Sequence, residues 1–283
     1  MAKKLNVFIS FDLEGISGVT SWRGAEEPAN FPRIRHIATA EVNAAIRGIR
    51  SAGLPVGGIL ICDAHSFGDT LLIEELEPGV ELVKGAPRNL YMVEGINQSF
   101  SAAFFIGYHT MVGTTAGFMD HTYSSSSIYN VRINGQGVGE TEINAALCGH
   151  FGVPLALVSG DDQLAREVRS FFGPAVQTVV TKYGISRFAG RCRHPEDVYG
   201  EIETKAERAI RGLGRLRPFV FRAPIRAEID VMNTLIGHVI SQIPGLQRTG
   251  GRSFRFRAKN AIDFYRMLMQ VCDLAGYANR SLS

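Results

Sequence analysis

An apolar run, Val7-Phe8-Ile9-Ser10-Phe11, leads directly into Asp12-Leu13-Glu14-Gly15-Ile16-Ser17-Gly18, and this junction constrains the fold more than any other stretch of the 283-residue chain. The run reads as a buried strand from Leu5 to Phe11. Alternate side chains of a strand share a face, so Asp12 and Glu14 leave its C-terminal end together. Two adjacent carboxylates at a buried strand end are strongly unfavourable unless something cationic neutralises them. Taken alone, an Asp-x-Glu is more often an acidic turn that caps the next element. The rest of the chain shifts that balance.

A Gly-, Ser- and Pro-bearing loop follows, carrying the single tryptophan, Trp22, through Pro32. Loops of that length are usually functional or mobile. From Arg33 to Ala52 the apolar positions Ile34, Ile37, Ala38, Val42, Ala45, Ile46 and Ile49 recur at helical spacing, and Gly53 closes the helix. The next strand, Gly58 to Cys62, ends in Asp63-Ala64-His65-Ser66, and a third, Ala102 to Ile106, ends in Gly107-Tyr108-His109. Strands alternating with helices, each with polar residues at its end, predict a parallel α/β sheet whose ligands gather at the carboxyl edge. Downstream lie Asp120-His121-Thr122, a serine turn from Ser124 to Ser127, and a hairpin, Ile128 to Ile133 and Val138, about Asn134-Gly135. Gly139-Glu140 opens an amphipathic helix with Glu140 in its first turn. A strand from Pro154 to Ser159 follows, then a helix from Gln163 to Phe172 capped by Asp161 and Asp162.

Beyond Pro174 the chain is richer in arginine, with helical stretches at Pro195 to Leu213 and Ile262 to Ala275 and strand-like runs at Phe219 to Ile229 and Ser253 to Ala258. The expected architecture is therefore α/β. A mainly parallel sheet in residues 1–165 carries a metal site at the carboxyl edge of its strands. Residues 166–283 form a second, smaller α/β domain that contributes to a substrate channel and oligomer contacts.

Composition narrows the function classes. With 45% hydrophobic and 20% charged residues the chain buries a large core and is not disordered. A net charge of +3, with dispersed basic residues, speaks against nucleic acid. Arg252, Arg255, Arg257 and Lys259 form a local cluster but do not all share one strand face. No apolar run approaches the ~18 residues of a membrane span. Cys62, Cys148, Cys192 and Cys272 are far apart with no leader-like segment before them, so they are expected to be free, largely buried thiols in the cytoplasm.

The candidate site residues are Asp12, Glu14, His65, His109 and Glu140, with His121 and Asp63 next. Singly, each histidine has a plainer reading: His65 as a helix cap, His109 as a loop residue, His36 and His150 as helix residues without a role. His194 and His238 have no motif around them and read as surface or core histidines. Together, three carboxylates and two imidazoles from separate strand ends and one helix start suit two zinc-like ions with one bridging carboxylate. Two ions ~3.5–4 Å apart can activate a water and polarise a carbonyl, as in aminopeptidases and phosphatases. Hydrolysis follows from such a set, but spacing does not choose between peptide and phosphate ester.

In this order, Asp12-Leu13-Glu14-Gly15-Ile16-Ser17-Gly18, Asp63-Ala64-His65-Ser66, Met92-Val93-Glu94-Gly95, Gly107-Tyr108-His109, His121-Thr122, Asn134-Gly135 and Val138-Gly139-Glu140 resemble the D-aminopeptidase family of dinuclear zinc peptidases, peptidase family M55. The similarity covers most of the first 160 residues and extends weakly through Ser159-Gly160-Asp161-Asp162 and Ala258-Lys259. It implies two zinc ions per subunit, bridged by Asp12, with Glu14, His65, His109 and Glu140 completing the coordination. It places His121 beside the metals as a catalytic nucleophile or general acid/base. The activity implied is release of N-terminal residues, D-residues among them, from short peptides by a metal-activated water. The assembly implied is a homodecamer of two stacked pentameric rings enclosing a channel.

Manganese or cobalt fits the carboxylate-rich set nearly as well as zinc. Two features depart from the family: Glu142, which on a helix points away from Glu140 and reads as a non-ligand, and the arginine-rich second half, which bears on substrate choice. Two other readings compete. A dinuclear metallophosphoesterase needs a Gly-Asn-His-Glu type of run, which is absent. A non-catalytic metal-binding ring protein sits poorly with five non-cysteine ligands, because structural zinc sites favour closed, cysteine-rich shells.

Overall fold

The computed structural model describes residues 4–281. Its first strand, β1 (Leu5–Phe11), is followed by α1 (Trp22–Glu26), α2 (Phe31–Ser51), β2 (Val56–Asp63), β3 (Glu81–Val83) and β4 (Phe100–Ile106). Next come β5 (Ile128–Ile133), β6 (Gln136–Gly137), α3 (Glu140–His150), β7 (Leu155–Asp161), α4 (Asp162–Phe172), β8 (Gln177–Ser186) and β9 (Ala189–Cys192). The chain continues through α5 (Pro195–Arg211), β10 (Ile225–Val231), α6 (Thr234–Ile240), β11 (Gln247–Arg248), β12 (Ser253–Ala258) and α7 (Ala261–Ser281).

The larger sheet has the order β3-β2-β1-β4-β7-β8-β9 and is parallel except for the terminal β8–β9 hairpin. Its central strands β1, β4 and β7 are buried nearly throughout, as expected for a sheet covered on both faces. From β1 the chain moves outward to β2 and β3, then crosses back to β4 on the other side of β1. The carboxyl ends of β1 and β4 therefore flank a topological switch point, where sheets of this type open a ligand crevice. Register makes the strand ends level: Phe11 pairs with both Asp63 of β2 and Ile106 of β4.

Two glycines allow the exits to cross there. A Cβ on Gly15 would sit 1.9 Å from the carbonyl oxygen of Tyr108. Gly107 has φ +76°, and a Cβ on it would lie 2.1 Å from the carbonyl oxygen of Asp12. In that tight space Gly15 N donates to Gly107 O at 2.7 Å and Asp12 N to Ile106 O at 2.8 Å.

The second sheet, β11-β12-β10-β5-β6, is antiparallel. Asn134 and Gly135 both have positive φ, as the two-residue hairpin turn between β5 and β6 requires. On β12, Phe254 and Phe256 face inward while Arg255 and Arg257 share the exposed face, with Arg252 lying before the strand.

The strands do not divide at residue 165. β8 and β9 extend the larger sheet and α5 packs on α2, whereas β5 and β6, from the first half, complete the smaller sheet. Hydrophobic pattern marks which residues are strands but not which sheet they join, because pairing is decided by contacts remote in sequence.

The stretch expected as a loop through Pro32 is also partly helical. Ser21 caps α1 by accepting from Gly24 N, and α2 starts at Phe31 because Pro32 fits a first helical turn, where no N–H is needed. Of the cysteines, all free, Cys62 and Cys148 are buried, Cys272 is partly buried, and Cys192 is exposed, contrary to expectation. Among the described residues no helix is long and apolar enough to cross a membrane.

Candidate metal centre

Level strand ends carry the acidic and imidazole side chains to one point. Asp12 and Glu14 follow β1, His65 follows β2, His109 follows β4, and Glu140 is the first residue of α3. All but His65 are buried, and the His65 side chain is only 11% exposed. Asp12 faces two ways: its Oδ1 lies 3.3 Å from His65 Nδ1 and its Oδ2 lies 3.6 Å from His109 Nε2. Glu14 Oε2 is 3.1 Å from His65 Nδ1, and Glu140 Oε1 is 3.4 Å from His109 Nε2. The cluster thus has a Glu14–His65 half and a His109–Glu140 half, joined by Asp12.

His121 enters from the irregular segment between β4 and β5, where Met119 and Tyr123 adopt positive φ. Its Nε2 is 3.6 Å from Glu140 Oε1 and 4.0 Å from Glu14 Oε1. Candidate ligand atoms of His109, His121 and Glu140 all lie within 4.8 Å of one another, and so do those of Asp12, Glu14 and His109. His109 Nδ1 donates to Thr110 O and His121 Nδ1 to Met119 O, which fixes each ring with Nε2 toward the cluster.

The residues fit divalent cations. Asp12 Oδ2 and His109 Nε2 are buried without a hydrogen-bond partner, although they point at one another across a gap. Buried polar atoms of a folded protein almost always have partners, and a carboxylate and imidazole set of this type is what zinc-like ions take.

Charge tells the same story. Burial, and then Glu14, push Asp12 up to about 7. Burial also works against the charged form of Glu14, but His65, His121 and His109 outweigh it and hold that carboxyl well below its usual range. His65 and His109 are buried too, yet the carboxylates raise both, His109 to about 10. The carboxylates thus draw positive charge onto the imidazoles, which metal ions would otherwise supply. His121 differs: burial, and then the charge on His109, hold it below the ordinary histidine range.

Asp63 does not join the cluster. Its Oδ2 accepts from Leu71 N, pinning the loop after β2. Glu142 lies away from it as expected, with Oε2 accepting from Gly139 N at the start of α3.

Sequence reading missed several supporting residues. Lys182 of β8 is fully buried, and its ammonium donates to the carbonyls of Glu14, Ile16 and Val19, using all three of its protons to hold the loop that carries Asp12 and Glu14. Burial lowers it to about 8. A lone lysine after the strand-forming run Val179-Val180-Thr181 and before Tyr183 was the only signal. Tyr123 N donates to Glu140 Oε1 at 2.6 Å, and Trp22 Nε1 donates to Glu14 Oε1 at 2.6 Å.

The site opens into a cavity of about 290 Å3 walled by Trp22, Glu26, Tyr91, Met92 and Tyr123. No described lysine or arginine lines it. A larger cavity of about 800 Å3 shares Ser66, Tyr91, Tyr123 and Ser124 with it and continues along Phe67 and, on α7, Met269 and Cys272.

The family model for D-aminopeptidases of peptidase family M55 matches residues 5–270. The chain is 31% identical to the D-aminopeptidase of Bacillus subtilis (strain 168) over 278 residues, 96% of this chain and 98% of that one. Its backbone is similar, with a TM-score of 0.89 and 30% identity over 96% of this chain and 98% of the other, to Zn-dependent D-aminopeptidase DppA from Bacillus subtilis, described as a self-compartmentalizing protease. A match that spans nearly the whole chain in both sequence and backbone means that this protein belongs to the peptidase M55 family of D-aminopeptidases.

Proposed function

We propose that this chain is a zinc-dependent aminopeptidase that releases N-terminal residues, D-residues among them, from short peptides. The observation that carries the reading is the buried convergence of Asp12, Glu14, His65, His109 and Glu140, with unpartnered Asp12 Oδ2 and His109 Nε2 between the two halves. Family membership supports it. Asp12 would bridge two ions, Glu14 and His65 would complete one sphere, and His109 and Glu140 the other. Bound there, the ions supply Lewis acidity toward a carbonyl and lower the pKa of water.

The remaining steps belong to protein groups. Because His121 Nδ1 donates to Met119 O, its Nε2 is the atom left to accept a proton and to return it to the departing amine. The cavity has no described lysine or arginine among its walls to pair with the outer oxygens of a phosphate dianion. This disfavours the metallophosphoesterase reading. The peptide beyond the scissile bond would run into the larger cavity, which gives α7, from the second half of the chain, a share in the substrate channel.

The description of DppA as self-compartmentalizing supports a closed homo-oligomer, which we take to be a decamer of two pentameric rings. Four free cysteines, one of them exposed, suit a reducing cytoplasm.

The test is metal content by mass spectrometry on purified protein, combined with p-nitroaniline release from D- and L-aminoacyl anilides. Two zinc ions per chain and turnover of D-aminoacyl anilides are expected. Metal-loaded protein inert on every aminoacyl substrate, or active only on phosphate esters, would overturn the reading.

A further inference from the structure

The short helix α1 carries two residues one turn apart, Trp22 and Glu26, whose side chains reach the same half of the metal centre. Residues four apart share a helix face. Trp22 Nε1 donates to Glu14 Oε1 at 2.6 Å, leaving Oε2 as the oxygen that faces His65 Nδ1. Glu26 Oε1 lies 3.2 Å from His65 Nε2 on the opposite edge of that imidazole from Asp12 and Glu14. In the neutral ring that a metal ion requires, a proton on Nε2 donated to Glu26 would leave the Nδ1 lone pair aimed into the cluster. The Trp22 ring is itself held edge-on between His121, at 5.3 Å, and Phe188 of the β8–β9 hairpin, at 5.8 Å, with the Arg187 guanidinium 5.6 Å over it. Neither Trp22 nor Glu26 reaches His109 or Glu140.

We infer that α1 is the positioning element for the Glu14–His65 half of the centre, with Trp22 orienting the Glu14 carboxylate and Glu26 fixing the His65 tautomer. A carboxylate behind a metal-binding imidazole orients the ring and raises its basicity, and losing such a partner typically costs 10–100-fold in metal affinity. The inference rests on the reading of the five residues as a two-ion site. Its distinctive consequence is asymmetry: loss of either α1 side chain loosens one ion and spares the other. A helix that only stabilised the fold would weaken both together.

The experiment is stepwise removal of zinc from the full-length protein by a competing chelator, with both dissociation constants fitted for wild type, Trp22→Phe, Glu26→Ala and Glu26→Gln. Arg23→Ala, an exposed position on the same helix, is the control. We expect Glu26→Ala and Trp22→Phe each to weaken one ion roughly 10–100-fold with the second unchanged. Glu26→Gln, which keeps an acceptor oxygen, should lose less than Glu26→Ala, and Arg23→Ala should match wild type. If Trp22→Phe fails to fold, the partly exposed Glu26 still decides the matter. Unchanged constants in Glu26→Ala, or equal weakening of both ions, overturn the inference while leaving the two-ion reading intact. Wild-type protein that binds fewer than two ions overturns that reading and this inference with it.

Discussion

The imidazole of His121 lies flat against that of His109, with ring centroids 4.0 Å apart and planes 11° from parallel. Two stacked imidazolium cations would repel in a buried site, and the pair avoids this. Against the effect of burial, Glu140 foremost raises His109, whereas burial and then His109 lower His121. A neutral imidazole beside a cationic centre is the state needed to accept a proton. His121→Ala should therefore keep both ions and the oligomer while turnover falls by roughly two to four orders of magnitude. Metal analysis alongside steady-state kinetics checks this, and loss of an ion would make His121 a ligand instead.

The two oxygens of Asp12 face different histidines, so its removal takes a ligand from both halves. Asp12→Ala should lose both ions, whereas Glu140→Ala should weaken one site more than the other. Mass spectrometry of metal content reads the result directly. Full occupancy in Asp12→Ala would exclude a bridging role.

Binding of zinc should release protons. In the cluster without metal, the carboxylates hold His65 and His109 above the ordinary histidine range, and both must be deprotonated to act as ligands. Zinc affinity should accordingly fall as pH falls, and activity with it. Calorimetric titration at neutral pH in two buffers of different ionisation enthalpy should show release of roughly two or more protons per chain, one from each imidazole. Zinc binding with no proton release would contradict the ligand assignment of these imidazoles.

Stability should respond to Glu41, a fully buried carboxyl of α2 that accepts from Ser17 N at 2.7 Å. Burial foremost raises it to about 7. A raised carboxyl pKa means that the folded state holds its proton more tightly than the unfolded chain, so stability declines as pH rises from about 4.5 through about 7. A separation of that size corresponds to on the order of 3 kcal/mol once the group is fully ionised. Glu41→Gln keeps an acceptor for Ser17 N and removes the charge, so its melting temperature should exceed that of wild type at pH 8 and match it near pH 4. A melting curve for the variant that falls with pH as steeply as wild type would assign the loss to other groups.

Local chemistry made much of the site legible in the sequence. Asp12, Glu14, His65 and His109 stand directly after apolar runs, and a buried parallel strand must end where polar residues begin, so their common edge could be read without coordinates. Glu140 was marked by its place in the first turn of a helix after Gly139, and Asn134-Gly135 by the positive φ its hairpin demands. What the sequence left open was everything set by contacts between distant segments. Sheet membership was one such matter: β8 and β9 pair into the first sheet and β5 and β6 into the second, in defiance of any cut at residue 165. Support for the ligands was another. Lys182 reaches the Asp12–Glu14 loop from 168 residues away from Glu14, and Trp22 and Glu26 acquire partners only because a stretch read as loop winds into a helical turn over the strand ends. Periodicity and residue type report each segment's own preference for burial and backbone shape. Which oxygen of Asp12 faces which histidine is decided by the register of three strands, Phe11 against Asp63 and Ile106, and register is a property of the sheet as a whole.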